Sequence, residues 1–258
     1  MLGLLIGGCA VLGLIVGSFL NVVIYRVPRH ESIVTPRSTC PACHAQIRER
    51  DNIPVVSWLL LRGRCRDCDQ PISPRYPLVE LTCAGLFAGA AGRVGFSWEL
   101  PALTIFLAGL FALACIDLEH LILPKTVVYT TLVLLALSLV LAAAATGQWH
   151  RLLIAGVCAV VWFLSFFALN FASPRYLGFG DVRLGLLLGL GLGWLGIRYV
   201  LLGFFAANLI GASIGVALIA TKKMRRDQPV PYGVFLALGA ALAIYAGPEL
   251  LVPFQRFS

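Results

Sequence analysis

The stretch LGLLIGGCAVLGLIVGSFLNVVIY, residues 2–25, contains no charged side chain over its 24 positions. About 20 apolar residues in an α-helix cross the hydrocarbon core of a bilayer, so this stretch is long enough to span one. A cleaved secretory signal would instead begin with a basic segment and have a shorter apolar core. We therefore interpret residues 2–25 as a membrane-spanning helix that the chain retains.

The composition of the whole chain agrees with a membrane protein. Of the 258 residues, 59% are hydrophobic and only 12% are charged, and the mean hydropathy is +0.90. A soluble domain would need a more polar surface. The sequence predicts an all-α integral membrane protein with about eight transmembrane helices, at residues 2–25, 77–92, 100–116, 126–146, 152–173, 184–197, 199–221 and 230–246.

The net charge of +8 is distributed unevenly along these segments. No basic helix with interleaved aromatic residues is present, so nucleic acid is not an expected partner. Sixteen of the 20 Lys and Arg residues fall on the side of the loop 26–76, and four fall on the other side. Cytoplasmic loops retain positive charge, which predicts that the loop 26–76 is cytoplasmic. The basic run at residues 222–226 on this side is expected to contact anionic membrane lipids.

The loop 26–76 carries two Cys-x-x-Cys pairs that are separated by 21 residues. Such pairs can place four thiolates around one tetrahedral zinc ion, and a reducing cytoplasm argues against two disulfides. The loop has few residues able to form a core, so a metal would hold it together. Four protein ligands leave no open position, which predicts a structural zinc in a zinc-ribbon-like insert. The predicted ligands are Cys40, Cys43, Cys65 and Cys68.

His44 follows the first cysteine pair and is the alternative ligand. A single histidine beside a complete set of four cysteines is more often a surface residue. The remaining cysteines are scattered singly through apolar segments, where packing is the commoner role.

Carboxylates at the ends of predicted spans are the second chemical signal. Asp117 and Asp181 are 64 residues apart in sequence, yet the predicted topology brings both to the cytoplasmic membrane edge. A carboxylate in a membrane segment is costly, which favours a functional role. Two aspartates that lie close together share a proton, so one can activate water while the other donates to a scissile carbonyl. The pair predicts peptide hydrolysis without a catalytic metal or a nucleophilic side chain.

Each of these carboxylates also has a structural interpretation. Asp181 lies in the sequence Gly178-Phe179-Gly180-Asp181 and could simply cap the start of a helix, where acidic residues are favoured. The pairing with Asp117 and the flanking glycines favour catalysis. For Glu80, the sequence leaves open a surface group, a packing partner for Arg75 and a contact for a basic substrate.

Several blocks of the chain together resemble the type IV prepilin leader peptidases, also called prepilin peptidase and N-methyltransferases. The blocks are GSFLNVVIYRVP (17–28), the cysteine insert with DNIPVVSW (51–58), RYPLVE (75–80), ID (116–117), LP (123–124) and GFGD (178–181).

The resemblance implies cleavage of the basic leader of type IV prepilins and type II secretion pseudopilins, at the cytoplasmic face of a bacterial inner membrane. It also implies that Asp117 and Asp181 are the catalytic aspartates. In members that carry the insert, the new N-terminal residue is then methylated with S-adenosylmethionine. No glycine-rich loop after a strand is present, which excludes a Rossmann-type methyltransferase domain, and the residues that bind the methyl donor are not assigned.

The resemblance also suggests three parts of the chain. They are a first transmembrane helix (1–25), a methyltransferase-associated insert (26–76) and an aspartyl peptidase domain of about seven helices (77–254). Lys125, Arg183 and Val234 depart from the usual family pattern, and these departures bear on substrate range.

Two rival interpretations come from other classes of protein. One is a membrane methyltransferase whose aspartate pair is inactive, and the other is a transporter or scaffold with a zinc-stapled loop. A transporter would be expected to place polar groups near the bilayer midplane, whereas these aspartates are predicted at one edge.

Overall fold

The computed structural model describes residues 1–172, 177–222, 228 and 230–251. The basic residues 175, 223, 225, 226 and 256, which enter the charge argument, lie outside this described part. Nine α-helices are present in the described residues: α1 (Leu2–Arg26), α2 (Val56–Leu60), α3 (Arg75–Val94), α4 (Leu100–His120), α5 (Lys125–Thr146), α6 (Trp149–Ala172), α7 (Phe179–Leu195), α8 (Ile197–Ala220) and α9 (Tyr232–Leu251).

The predicted all-α class is confirmed. Beyond the helices, backbone pairing between extended residues in the described part is limited to two isolated bridges, Thr39 with Gln46 and Arg64 with Pro71. Six helices are long and apolar enough to cross a membrane, namely α1, α4, α5, α6, α8 and α9. The chain is therefore a multi-pass membrane protein. Helices α3 and α7, at the predicted segments 77–92 and 184–197, are not among these six, so the count of eight spans stays a prediction.

The chain divides into two compact units, the first comprising Met1–Phe96 and the second beginning at Ser97. In the first unit, α1 and α3 pack together through glycines. A Cβ built on Gly13 would lie 2.6 Å from Cα of Ala84, and one on Gly17 would lie 2.7 Å from Cα of Glu80. Small residues four positions apart let membrane helices approach closely. This packing fixes α3 against α1 at the level of Glu80.

In the second unit, α4 is the most deeply buried of the six apolar helices. Its side chains include Phe106, Leu113 and Ile116, all almost fully buried. Helix α7 packs beside it, because a Cβ on Gly191 would lie 2.6 Å from the Phe106 ring. The C-terminal end of α4 thus lies in a well-packed interior, and Asp117 follows Ile116 there.

The glycines of α7 also allow close packing against α6. A Cβ on Gly189 would lie 2.5 Å from Cα of Ala159, and one on Gly193 would lie 2.9 Å from Cα of Ala155. The α8–α9 contact has the same character, since a Cβ on Gly239 would lie 2.6 Å from the backbone nitrogen of Ala207. These close contacts fix α7 against α6 and α9 against α8.

Candidate active site and metal centre

Asp117 lies in the last turn of α4 and is only 5% exposed. The helix ends at Leu121, which adopts the left-handed conformation and donates its N–H to the Asp117 carbonyl at 2.9 Å. Oδ2 of Asp117 is buried and has no hydrogen-bond partner in the described part of the chain. Gly233, at the start of α9, lies directly against this carboxylate. A buried acceptor without a partner is costly, which is typical of a functional group.

Asp181 lies in the first turn of α7, where Gly178 precedes the helix in an extended conformation. The Gly178 N–H donates to Oδ2 of Asp181 at 3.2 Å, so this carboxylate does cap the helix. Asp181 is only half-buried, in contrast to Asp117. Capping occupies one carboxylate oxygen and leaves the acid available for a second role.

Asp117 and Asp181 lie on segments that pack against the same turn. Leu123 connects the segments that carry them. A Cβ on Gly180 would lie 3.0 Å from Cβ of Leu123, and one on Gly233 would lie 3.1 Å from its Cδ2. The turn after α4 is thus packed against the starts of both α7 and α9. Two carboxylates that are brought close together can share one proton, so that one acts as a base while the other acts as an acid.

The start of α9 contributes two residues whose role the sequence analysis missed. Gly233 leaves room for the Asp117 carboxylate, because a Cβ there would lie 2.9 Å from Oδ2. The hydroxyl of Tyr232 donates to Oδ1 of Asn208 at 3.4 Å. The sequence analysis singled out only Val234 in this segment, as a departure from the usual family pattern, and gave it no chemical role.

Glu119 and His120, just beyond Asp117, form a loose pair with 3.9 Å between Oε2 and Nε2. Both side chains are partly exposed. Lys125, one of the departures from the family pattern, is the first residue of α5.

The four predicted metal ligands come together in the insert. The Sγ atoms of Cys40, Cys43, Cys65 and Cys68 all lie within 4.8 Å of one another. Those of Cys40 and Cys68 are 3.8 Å apart. A tetrahedral zinc ion with bonds of about 2.3 Å to sulfur requires sulfur–sulfur distances of about 3.8 Å. The cluster can hold one such ion, and His44 is not among its members.

The two cysteine pairs adopt the same backbone conformation. The Cys40 N–H donates to the Ala45 carbonyl at 2.9 Å, and the Cys65 N–H donates to the Gln70 carbonyl at 2.8 Å. The residue that follows each pair has a positive φ, which is 60° at His44 and 58° at Asp69. This repeat explains why His44 lies outside the cysteine cluster, since its place in the turn matches that of Asp69.

The surroundings of Cys40 and Cys68 shift the pKa values of their thiols in opposite directions. The backbone amides of Cys43 and Ala42 lower the pKa of the Cys40 thiol to about 7. At Cys68 the Gln70 amide favours the thiolate, but partial burial and the hydrogen bonds of the neighbouring thiols outweigh it and raise the pKa to about 12. Four thiolates in one cluster repel each other unless a cation neutralises them. A divalent metal is the group that fits this donor set.

Trp58 forms the small core of the insert. Its Nε1 donates to the Ile72 carbonyl at 3.0 Å, and a Cβ on Gly63 would lie 2.9 Å from its ring. A second fixed contact is the pair of hydrogen bonds from Arg66 to Asp51, at 2.6 and 2.9 Å. The Arg66 guanidinium holds the pKa of the Asp51 carboxyl below its usual value. These contacts link the segment 51–58 to the second cysteine pair.

The six long apolar helices make this chain a multi-pass membrane protein. The chain belongs to the type IV leader peptidase family, because residues 104–216 match that family and residues 11–94 match the bacterial peptidase A24 N-terminal domain. The resemblance inferred from the sequence blocks is thereby confirmed.

Relatives cover nearly the whole chain. A prepilin leader peptidase/N-methyltransferase of Stutzerimonas stutzeri is 34% identical over 97% of this chain and 94% of its own length. Proteins of the same name are 33% identical in Pseudomonas aeruginosa, over 96% of this chain and 92% of theirs, and in Bacillus subtilis, over 93% and 94%. No solved structure shows significant similarity to the chain.

Proposed function

We propose that this chain removes the basic leader peptide of type IV prepilins and type II secretion pseudopilins, and then methylates the new N-terminal residue. The observation that carries this proposal is the similarity to prepilin leader peptidase/N-methyltransferases. It extends over more than nine-tenths of the chain and includes the two regions of the chain that match a family model. The placement of two aspartates near each other in the second unit supports the peptidase half.

Asp117 and Asp181 act as the catalytic pair in this proposal. One carboxylate removes a proton from the attacking water, and the protonated partner donates to the carbonyl oxygen of the scissile bond. Asp181, which is more exposed, has easier access to water, whereas the buried Asp117 is the better candidate to retain the shared proton. The Gly178-Phe179-Gly180 segment lets a substrate backbone approach Asp181 closely.

The insert serves the methyl-transfer half. Cys40, Cys43, Cys65 and Cys68 hold a zinc ion that stabilises the fold of the insert and takes no part in the chemistry. S-adenosylmethionine supplies the methyl group to the free amine that cleavage creates. The division into a first helix (1–25), an insert (26–76) and a peptidase domain (77–254) belongs to the same proposal.

We place the active site at the cytoplasmic face of the bacterial inner membrane. Support comes from the excess of Lys and Arg on the side of the insert, which matches the bias of cytoplasmic loops. The substrate leader is basic and is present in the cytoplasm before export, so cleavage on this side is consistent with the charge distribution.

One experiment separates this function from its rivals. The purified chain in detergent is incubated with a prepilin and isotopically labelled S-adenosylmethionine, and the mass of the product is read. We expect a cleaved product that carries one labelled methyl group. A labelled but uncut substrate would indicate a methyltransferase with an inactive aspartate pair, and an unchanged substrate would favour the scaffold or transporter.

A further inference from the structure

Glu80 is a buried carboxylate that the proposed peptide cleavage does not use. It lies in the second turn of α3 and is 7% exposed. Its Oε2 accepts a hydrogen bond of 2.7 Å from the backbone N–H of Val55, in the insert. A buried carboxylate is costly unless it is hydrogen-bonded, so this contact is a strong determinant of where Val55 lies.

The position of Glu80 is fixed from the other side by α1. The close approach of Gly17 to Cα of Glu80 leaves no space between the two helices. Glu80 is therefore a rigid point on the α1–α3 helix pair, and whatever it binds is held at the end of that pair.

Val55 has a backbone conformation that requires such support. Its φ is +61° and its ψ is −49°, a combination that a β-branched residue rarely adopts. Val55 immediately precedes the short helix α2, which is too short to be stable by itself. The Glu80 carboxylate binds the N–H at this point and holds the start of α2.

Helix α2 in turn leads to the cysteine cluster. Trp58 of α2 contacts Gly63 and donates to the carbonyl of Ile72. The Ile72 N–H donates to the Gly63 carbonyl at 2.7 Å, next to the bridge between Arg64 and Pro71 that encloses the second cysteine pair. A continuous set of contacts thus joins Glu80 to the cysteine cluster through Val55 and Trp58.

We propose that Glu80 is a positioning residue for methyl transfer, which holds the cysteine insert at the end of the α1–α3 helix pair through the backbone amide of Val55. This inference rests on the proposed methyltransferase function. The role requires a hydrogen-bond acceptor and does not require a negative charge, since the group that Glu80 binds is a neutral amide.

A pair of substitutions separates positioning from charge. Glu80→Ala removes the acceptor, whereas Glu80→Gln keeps an acceptor of the same length and removes the charge. Glu31→Ala is the matched control, because Glu31 is an exposed carboxylate in the loop that follows α1. The measurements are hydrogen exchange of residues 53–63, zinc content, prepilin cleavage and methylation of a prepilin that has already been cleaved.

We expect Glu80→Ala to exchange faster at residues 53–63 and to methylate about tenfold more slowly or worse, as loss of a hydrogen bond to a charged group implies. Its cleavage activity should stay close to that of the wild type, which shows that the helices are inserted and folded. Glu80→Gln should recover methylation to within about threefold of the wild type, and Glu31→Ala should match the wild type throughout.

Three outcomes would overturn the inference. They are wild-type exchange of residues 53–63 in Glu80→Ala, unimpaired methylation by that variant, and a Glu80→Gln variant as defective as Glu80→Ala, which would assign Glu80 a charge-dependent role. If the wild-type chain itself did not methylate, the proposed function would fail, and the exchange of residues 53–63 would still decide whether Glu80 holds the insert.

Discussion

Gly233 lies directly against the carboxylate of Asp117, so that a Cβ built on Gly233 would be 2.9 Å from Oδ2 of Asp117. The same Cβ would be 3.1 Å from Cδ2 of Leu123. Any larger residue at 233 must therefore displace the aspartate, the leucine or the start of α9. Asp117 can therefore occupy its buried position only because residue 233, more than 100 residues later in the chain, is a glycine.

Gly233→Val should consequently abolish most prepilin cleavage while the protein remains in the membrane. A displacement of a catalytic group by about 1 Å can cost about 100-fold in rate, and we expect a loss in the turnover number of that order. Gly233→Ala should show a smaller loss, since the single methyl group meets a side-chain terminus that has some freedom to move. Steady-state cleavage of a prepilin in detergent measures both.

Gly156→Val is the control for this substitution. It lies in α6 of the same unit, and a Cβ there would meet no atom within 4 Å. Its cleavage rate should remain near that of the wild type. Equal loss in the two valine variants would show that the effect comes from helix insertion or general packing, and the proposed role of Gly233 would be wrong.

Zinc content provides the second prediction. The four Sγ atoms lie within 4.8 Å of one another, so elemental analysis should find one zinc ion per chain. Cys40→Ser and Cys65→Ser should each release the ion and make the insert susceptible to proteolysis. Cys9→Ser, which alters a cysteine of α1 outside the cluster, should retain the full zinc content. A purified wild type with no metal and four free insert thiols would contradict the assignment.

The third prediction concerns the separation of the two activities. Both aspartates of the proposed catalytic pair belong to the second unit, whereas the cysteine cluster belongs to the first. Cys43→Ser and Cys68→Ser should therefore reduce methylation much more than cleavage. The test compares cleavage of a prepilin with methylation of a substrate that is already cleaved. Equal loss of both activities in correctly inserted protein would disprove the proposed division of labour.

The parts of this protein that could be predicted from sequence are those with a local signal. The helix at 2–25 and the two cysteine pairs are recognisable because hydropathy and ligand spacing are properties of short segments. A functional role for Asp117 was inferred because a carboxylate at the end of an apolar run is unusual, and that role stays a prediction. The helix α2 and the core around Trp58 were not predicted, because a five-residue helix has no detectable period.

Contacts between distant segments left no such signal. Gly233 resembles any other glycine in an apolar helix until α9 is placed beside α4. The hydrogen bond from Val55 to Glu80 involves a backbone amide, which every residue except proline has, so no side chain identifies the donor. The sequence accordingly suggested three roles for Glu80, and binding to Val55 was not among them.

The fourth prediction is that asparagine at either Asp117 or Asp181 stops cleavage. Asparagine preserves the size of the side chain but can neither activate water as a base nor share a proton, so the loss should fall on turnover far more than on substrate affinity. Glu119→Gln is the control, because Glu119 lies two residues beyond Asp117, points in a different direction on the helix and is partly exposed. This variant should retain substantial activity.

The pH dependence of cleavage follows from the same pairing of Asp117 and Asp181. Activity requires one protonated and one ionised carboxylate, so the rate should fall at low pH, where both are protonated, and at high pH, where both are ionised. The resulting bell-shaped profile has two apparent pKa values that belong to the pair and not to either residue.

Metal chelators should leave the cleavage step itself unaffected, because the pair needs no metal. Full cleavage by a folded Asp117→Asn or Asp181→Asn variant would eliminate the aspartate mechanism. A wild-type cleavage rate that does not change with pH would instead eliminate proton sharing between the two carboxylates.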